Sequence, residues 1–202
     1  MTLIVLKIGG SLFDSARGLL KQVANEGRDV LIVPGGGAFA DKVRDIYNAS
    51  TLSDDAAHWM ALLAMDQYGY FLSDGTGISL ANAIEGRGTR IALAYEILRK
   101  DDALPHSWDV TSDTVAAWMA FRAGARLVKA TDVDGVFRHG QLLTTVSASA
   151  LQTMGETCVD KALPGFLVEH RMDAFVVNGR CVSRVIAALK NEKTVGTEIK
   201  GK

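Results

Sequence analysis

The chain has 202 residues, 48% of them hydrophobic, with 22 Lys and Arg against 23 Asp and Glu. That composition excludes a disordered tail and a disulfide scaffold, and near-neutral charge without a basic run leaves no electrostatic footprint for nucleic acid. A chain of this length buries roughly 70% of its extended surface, enough for a core without metal or disulfide staples. Cys158 and Cys181 form no CxxC or Cys/His cluster, so a reducing compartment and no metal site are expected. No apolar run reaches 18 residues, and the opening MTLIVLKIGG is too short and lacks a basic leader, so a soluble cytoplasmic protein with no membrane partner is expected.

Leu3 to Ile8 is a β-rich apolar run ended by Gly9-Gly10-Ser11, and Ala16, Leu19, Leu20, Val23 and Ala24 follow at helical spacing. The pattern recurs. Asp29 to Val33 reads as a strand, Pro34-Gly35-Gly36-Gly37 as a loop, and Phe39, Val43, Ile46 and Tyr47 as one side of a helix. Two such units imply a parallel sheet with ligand loops at its carboxyl edge. Ser53, Asp54 or Asp55 caps the next helix, through Ala57, Met60, Ala61, Ala64, Met65 and Tyr68, with Gly69 as its end or bend. A short helix near Leu80 to Ile84 and a strand from Arg90 to Ala94 come next, then a polar loop or lid from Arg99 to Ser112. Thr111 or Ser112 caps a helix through Val115, Trp118, Met119 and Ala123, and the strand Arg126 to Ala130 leads into Thr131-Asp132-Val133-Asp134-Gly135. A hairpin-like excursion (Phe137 to Leu143), helices over Ala148 to Met154 and Ala162 to Arg171, a strand (Asp173 to Val177), a helix (Val182 to Leu189) and an edge strand (Val195 to Ile199) complete the pattern. No linker divides the chain, so residues 1–202 read as one domain.

The loop Lys7-Ile8-Gly9-Gly10-Ser11 puts a cation at a strand end beside two glycines, whose amides can approach anionic oxygens closely. The same residues also suit a plain glycine turn with Lys7 snorkelling to solvent. Gly35-Gly36-Gly37 sits between strand and helix, where free amides favour an anion. Its match to the dinucleotide fingerprint is partial, because the acidic residue falls at Asp54 or Asp55 in a polar cap, and no GxxxxGK[ST] loop exists. Two anion loops on neighbouring strands suggest phosphoryl transfer, which needs donor and acceptor oxygens brought in line. Asp113, Lys129, Asp132, Asp134 and Lys161 also fall at expected loop or helix starts, where each singly reads as a cap, a turn former or a solvated charge.

Lys7-x-Gly9-Gly10-Ser11, Gly35-Gly36-Gly37, Thr111-Ser112-Asp113, Thr131-Asp132-Val133-Asp134-Gly135-Val136-Phe137 and Gly196-Thr197 together resemble the amino acid kinase superfamily over nearly the whole chain. The resemblance implies an α/β fold, a three-layer αβα sandwich with a mainly parallel central sheet. It also implies ATP and Mg²⁺ as cofactors, with an acceptor part at about 1–105 and a nucleotide part at about 106–202. Lys7 and Lys161 would neutralise the transferring phosphoryl group and Asp113 would organise them. Gly9, Gly10, Ser11, Lys129, Thr131, Asp132, Asp134, Gly135, Val136, Phe137 and Gly179 would serve the nucleotide. A homo-oligomer is the usual state of such enzymes.

Leu52-Ser53-Asp54, Ala57-His58-Trp59-Met60-Ala61, Met65-Asp66-Gln67-Tyr68-Gly69-Tyr70, Trp108 to Asp113 and Cys158-Val159-Asp160-Lys161 are similar to the small kinases of methanofuran biosynthesis, which act on an aminomethylfuran phosphate. That resemblance implies a small-molecule substrate held at its phosphate by Gly35, Gly36, Gly37 and Arg44, at its amine by Asp54 or Asp66, and at its ring by Trp59 or Tyr68. The same residues also suit a helix cap and ordinary core. Another phosphate or carboxylate kinase of the superfamily, or a binding protein that has lost transfer, would carry most of the same motifs.

Overall fold

The computed structural model describes residues 2–202. In chain order the elements are β1 (Ile4–Ile8), a 3₁₀ turn (Gly10–Leu12), α1 (Ala16–Asn25), β2 (Val30–Pro34), α2 (Gly37–Ala49), α3 (Asp54–Ser73), β3 (Ser79–Ala81), β4 (Thr89–Ala92), α4 (Ala94–Leu98), α5 (Ser112–Ala123), β5 (Arg126–Thr131), β6 (Phe137–Arg138), β7 (Gln141–Leu142), β8 (Thr145–Ser147), α6 (Ala148–Leu151), α7 (Leu163–His170), β9 (Ala174–Asn178), α8 (Val182–Lys190) and β10 (Thr197–Lys200). Eight strands form one sheet in the order β3-β4-β2-β1-β5-β9-β10-β8, and β6 pairs with β7 as a separate hairpin.

β1 and β2 are buried along their whole length, as near-continuous apolar strands must be when both faces of a parallel sheet are covered. Because side chains alternate, Ile4, Leu6 and Ile8 pack with α1 and α8 on one face, while Val5 packs with α5 and α7 on the other. The expected αβα sandwich is therefore present. β2 lies on one side of β1 and β5 on the other, both parallel to it, so the end of β1 opens on a topological switch point.

α3 does not end at Gly69. The helix contributes Leu62 and Met65 to one apolar core and Tyr68 and Leu72 to the other, so it crosses the end of the sheet. Gly69 is the crossing point, where an added Cβ would lie 3.4 Å from Ile91 and 3.5 Å from Pro34.

Three expectations are corrected and one helix, α4, is added. Residues 80–84 begin in strand β3, since pairing of Ser79–Ala81 with Arg90–Ala92 overrides a locally helix-permissive sequence. α4 is too short to show a period, and its start is capped from a distance by Asp66, whose Oδ1 accepts from the Tyr95 amide at 3.1 Å. α6 stops at Leu151, short of Met154. β10 is not an edge strand, because it lies between β9, which it pairs antiparallel, and β8, which it pairs parallel. The three-residue β8 takes the edge instead.

Candidate active site

Parallel register builds the centre. Lys7 on β1 stands opposite Lys129 on β5, and alternation turns both toward the face that carries α5. α5 begins at Ser112, which delivers Asp113 in its first turn. Asp113 Oδ1 lies 2.7 Å from Lys7 Nζ, and Lys129 Nζ donates to Asp113 Oδ2 and to the Cys158 carbonyl. All three side chains are buried. Burial pushes the Asp113 carboxyl up, but Lys129 and Lys7 together outweigh it and hold the group well below the usual carboxylate range. For Lys7, burial dominates and lowers the ammonium pKa despite Asp113.

Lys161 does not join them. Its side chain is 82% exposed and lies 3.3 Å from Asp109, so Asp113 pairs with Lys7 and Lys129 where Lys7 and Lys161 were expected. Its neighbour Asp160 does reach the centre, donating its amide to Asp113 Oδ2 at 3.0 Å.

The glycine loops meet at the carboxyl ends of β1 and β2. Gly9 donates its amide to Ala130 and Gly35 to Ile8, so both continue the sheet ladder and are not free donors. Donors left without intrahelical acceptors are the first amides of the 3₁₀ turn, Gly10 and Ser11, and the first of α2, from Gly37. A Cβ on Gly10 would lie 2.5 Å from Gly37 Cα, so the two backbones touch only because residue 10 is glycine, while Gly37 itself has φ +51°, where a side chain is strained.

Beside these loops opens a cavity of about 670 Å³, within the usual range for small ligands. Its floor is the loops and α2 as far as Arg44, its wall is α3, and its roof is Ser107 to Ser112 with Trp108. The α3 residues that line it are Asp54, Ala57, His58, Ala61, Leu62 and Met65, a single helical stripe. Arg44 bonds Asp41 at 2.9 Å and lies 5.0 Å over the Trp108 ring, while Tyr47 donates to Asp54 at 2.6 Å. Trp59 and Asp66 lie off the stripe. Trp59 packs edge-on against Tyr95, Asp66 caps α4, and Tyr68 is fully buried, so the structure brings none of the three to the cavity.

His106 pins the roof to α3, with Nδ1 at 2.6 Å from Asp55 and Nε2 at 2.9 Å from Asp102. His58 stacks on it at 4.0 Å, is 8% exposed, and buries Nε2 without a partner. Burial first and His106 second push the His58 pKa down to about 4 from 6.5. Between those values the unfolded chain binds the extra proton, so the stability contributed by the neutral ring falls as pH drops through that window. His58→Phe is therefore expected to lose less melting temperature than the parent between pH 7 and pH 5. Equal losses in paired thermal scans would remove His58 as the source.

Residues 2–178 match the family model described as the amino acid kinase family. The chain belongs to the amino acid kinase family. One relative, the [5-(aminomethyl)furan-3-yl]methyl phosphate kinase of Methanocaldococcus jannaschii, is 35% identical over 212 residues, covering 98% of this chain and 97% of that protein. Two solved structures share the fold. The uridylate kinase of Archaeoglobus fulgidus matches with TM-score 0.71 at 19% identity, over 98% of this chain and 100% of its own. The UMP kinase of Ureaplasma parvum matches with TM-score 0.70 at 15% identity, over 99% and 100%. Membership places the chain among ATP-dependent kinases of small phosphorylated or carboxylate substrates. Among the described residues no helix is long and apolar enough to cross a membrane.

In this family member the segment after β5 is held by specific packing. Asp134 accepts from Asn178 at 2.8 Å and from Arg184 at 2.7 Å, Val136 donates its amide to Thr197 Oγ1 at 2.8 Å, and Thr131 bonds Asp132. A Cβ on Gly135 would fall 2.3 Å from Thr197 Oγ1, and one on Gly179 2.3 Å from Leu12, so both glycines permit close approach. Phe137 is exposed on the β6–β7 hairpin. Two residues of this neighbourhood were not anticipated. Arg180 bonds Asp14 and the Ser11 carbonyl, tying the β9 turn to the first glycine loop. Asp160, beside the expected Lys161, stands three residues before Leu163 and accepts its amide at 2.8 Å, a capping spacing legible in the sequence.

Proposed function

We propose that this chain transfers the γ-phosphoryl group of MgATP to the phosphate of an aminomethylfuran methyl phosphate, giving the furan diphosphate and ADP. One observation carries the reading: two buried lysines share a single carboxylate beside two loops of unpartnered amides. Asp160, the other nearby carboxylate, is committed to hydrogen bonds from Thr111, Thr114 and Leu163. An anionic phosphoryl group supplies the charge this centre lacks, and it would reverse the effect of burial on Lys7.

An acceptor phosphate oxygen attacks the γ phosphorus while the bond to the β-bridging oxygen breaks and ADP departs. The acceptor is already an anion, so no protein base is needed, and positioning with charge stabilisation carries the step. Lys7 and Lys129 neutralise the transferring group, and Gly10, Ser11 and the start of α2 donate amides. Thr131, Asp132, Asp134, Gly135, Val136, Phe137 and Gly179 form the nucleotide side, with magnesium entering as part of the nucleotide. The acceptor side extends beyond residue 105, because Ser107 to Ser112 roof the cavity.

In the cavity, Arg44 and the α2 amides take the acceptor's phosphate, Asp54 its ammonium group, and Trp108, in place of Trp59, the face of its ring. The relative's activity and its 35% identity over nearly the whole chain support this acceptor. The test is transfer from MgATP to a panel of the aminomethylfuran phosphate, isopentenyl phosphate, uridylate, aspartate and acetylglutamate. A doubly phosphorylated furan with no turnover of the others is expected; turnover of another acceptor alone would sink the assignment. Trp108→Ala should raise the furan KM about tenfold, in line with the roughly 0.5–1.5 kcal/mol of an aromatic contact beyond its area, and leave the MgATP KM in place. An equal rise in both would remove Trp108 from the acceptor wall.

A further inference from the structure

We propose that Asp160 is a positioning residue for phosphoryl transfer, one that locks the first turn of α5 and so fixes Asp113 between Lys7 and Lys129. The proposal rests on the kinase reading above.

The geometry is that of a helix cap imported from a distance. Thr111 stands at the N-cap of α5, where a threonine hydroxyl ordinarily accepts an amide of the first turn. Here it does not. The Thr111 hydroxyl donates to Asp160 Oδ2 at 2.9 Å, and the same oxygen accepts the amides of Thr111 at 2.9 Å and Thr114 at 3.0 Å. Oδ1 accepts the Thr114 hydroxyl at 2.6 Å and the Leu163 amide at 2.8 Å. One carboxylate thus closes the starts of both α5 and α7.

A local cap would satisfy α5 as well. What the distant cap adds is a connection, because the Asp160 backbone donates to Asp113 Oδ2 and the Cys158 carbonyl, two residues earlier, accepts from Lys129. Residues 158–160 therefore touch both Asp113 and its lysine while their side-chain end holds the helix that carries Asp113. Charge-assisted bonds to an ionised carboxylate are the stronger kind, so the link is stiff. Transfer depends on how accurately the lysines are placed, and a displacement of an ångström is enough to slow it severely.

The experiment is steady-state kinetics on the full chain with MgATP and the aminomethylfuran phosphate, or whichever acceptor of the panel above it turns over, comparing Asp160→Ala, Asp160→Asn and Thr114→Val, each checked for folding by thermal melting. Asp160→Ala is expected to lower kcat tenfold or more, with both KM values within about twofold of the parent. Asp160→Asn and Thr114→Val, which keep most of the contacts and the fold, should lose less kcat with the same KM pattern. In an Asp113→Asn background, adding Asp160→Asn should change kcat by less than twofold, since the residue acts through Asp113. Unchanged kcat in the folded single variants, KM shifts as large as the kcat loss, or the full Asp160 loss repeated in the Asp113→Asn background would each overturn the proposal. Asp113→Asn alone retaining parental kcat would instead overturn the kinase assignment of the centre.

Discussion

Asp113→Asn is expected to cut phosphoryl transfer by about 10²–10³-fold, the range seen when one preorganised charge or donor is removed from a transition state. The variant keeps the shape of the side chain and removes its charge, leaving Lys7 and Lys129 facing each other inside the protein. Removing one partner of a buried ion pair typically costs ~3–5 kcal/mol, so a lower melting temperature accompanies the lost activity. The pH dependence separates the two roles. Asp113 has a depressed folded pKa, so its stabilisation is complete above the unfolded carboxylate value of 3.8 and is lost only as pH falls toward the folded value. The parent should therefore keep this contribution at pH 5, where His58 is already giving up its own. Parental turnover by Asp113→Asn in a MgATP assay would show that the centre does not serve transfer.

Gly10→Ala is expected to be nearly as damaging, for a steric reason. The new methyl would lie 2.5 Å from Gly37 Cα and 2.7 Å from Gly37 N, against backbone that cannot rotate away. Separating the loops costs ~1–3 kcal/mol as overpacking and moves the amides, for which a loss of about 100-fold in kcat/KM is the expected scale. Gly18→Ala is the control, because that glycine lies in α1 with nothing within 4 Å of an added Cβ. It should gain up to about 1 kcal/mol from helix propensity and leave kinetics unchanged. Kinetics and melting curves of the two variants side by side test the argument, and parental kcat/KM in Gly10→Ala would defeat it.

The fold was legible where apolar runs stop at glycine. The strands β1, β2 and β5 each bury five side chains in succession, which only a covered strand accommodates, and each is followed by a loop that changes direction. β3, α4 and β8 were not legible, because three to five residues hold less than two periods of any pattern and their partners lie far along the chain. Lys7 and Asp113 could be picked from their loops. Lys129 could not be ranked above Lys161, since what selects it is register with Lys7 across two parallel strands separated by more than a hundred residues. The choice of tryptophan was available in principle. A stripe drawn through Asp54 at helical spacing passes His58, Leu62 and Met65 and misses Trp59 and Asp66, so helix phase alone would have directed attention from Trp59 to another aromatic residue.

α3 touches both apolar cores and also forms a wall of the cavity. A helix in that position makes the two faces of the sheet cooperate, since loosening either withdraws support from the other. It also ties ligand occupancy to unfolding: whatever fills the cavity braces α3, the helix that both cores share, and binding energy there becomes resistance to melting of the entire sheet.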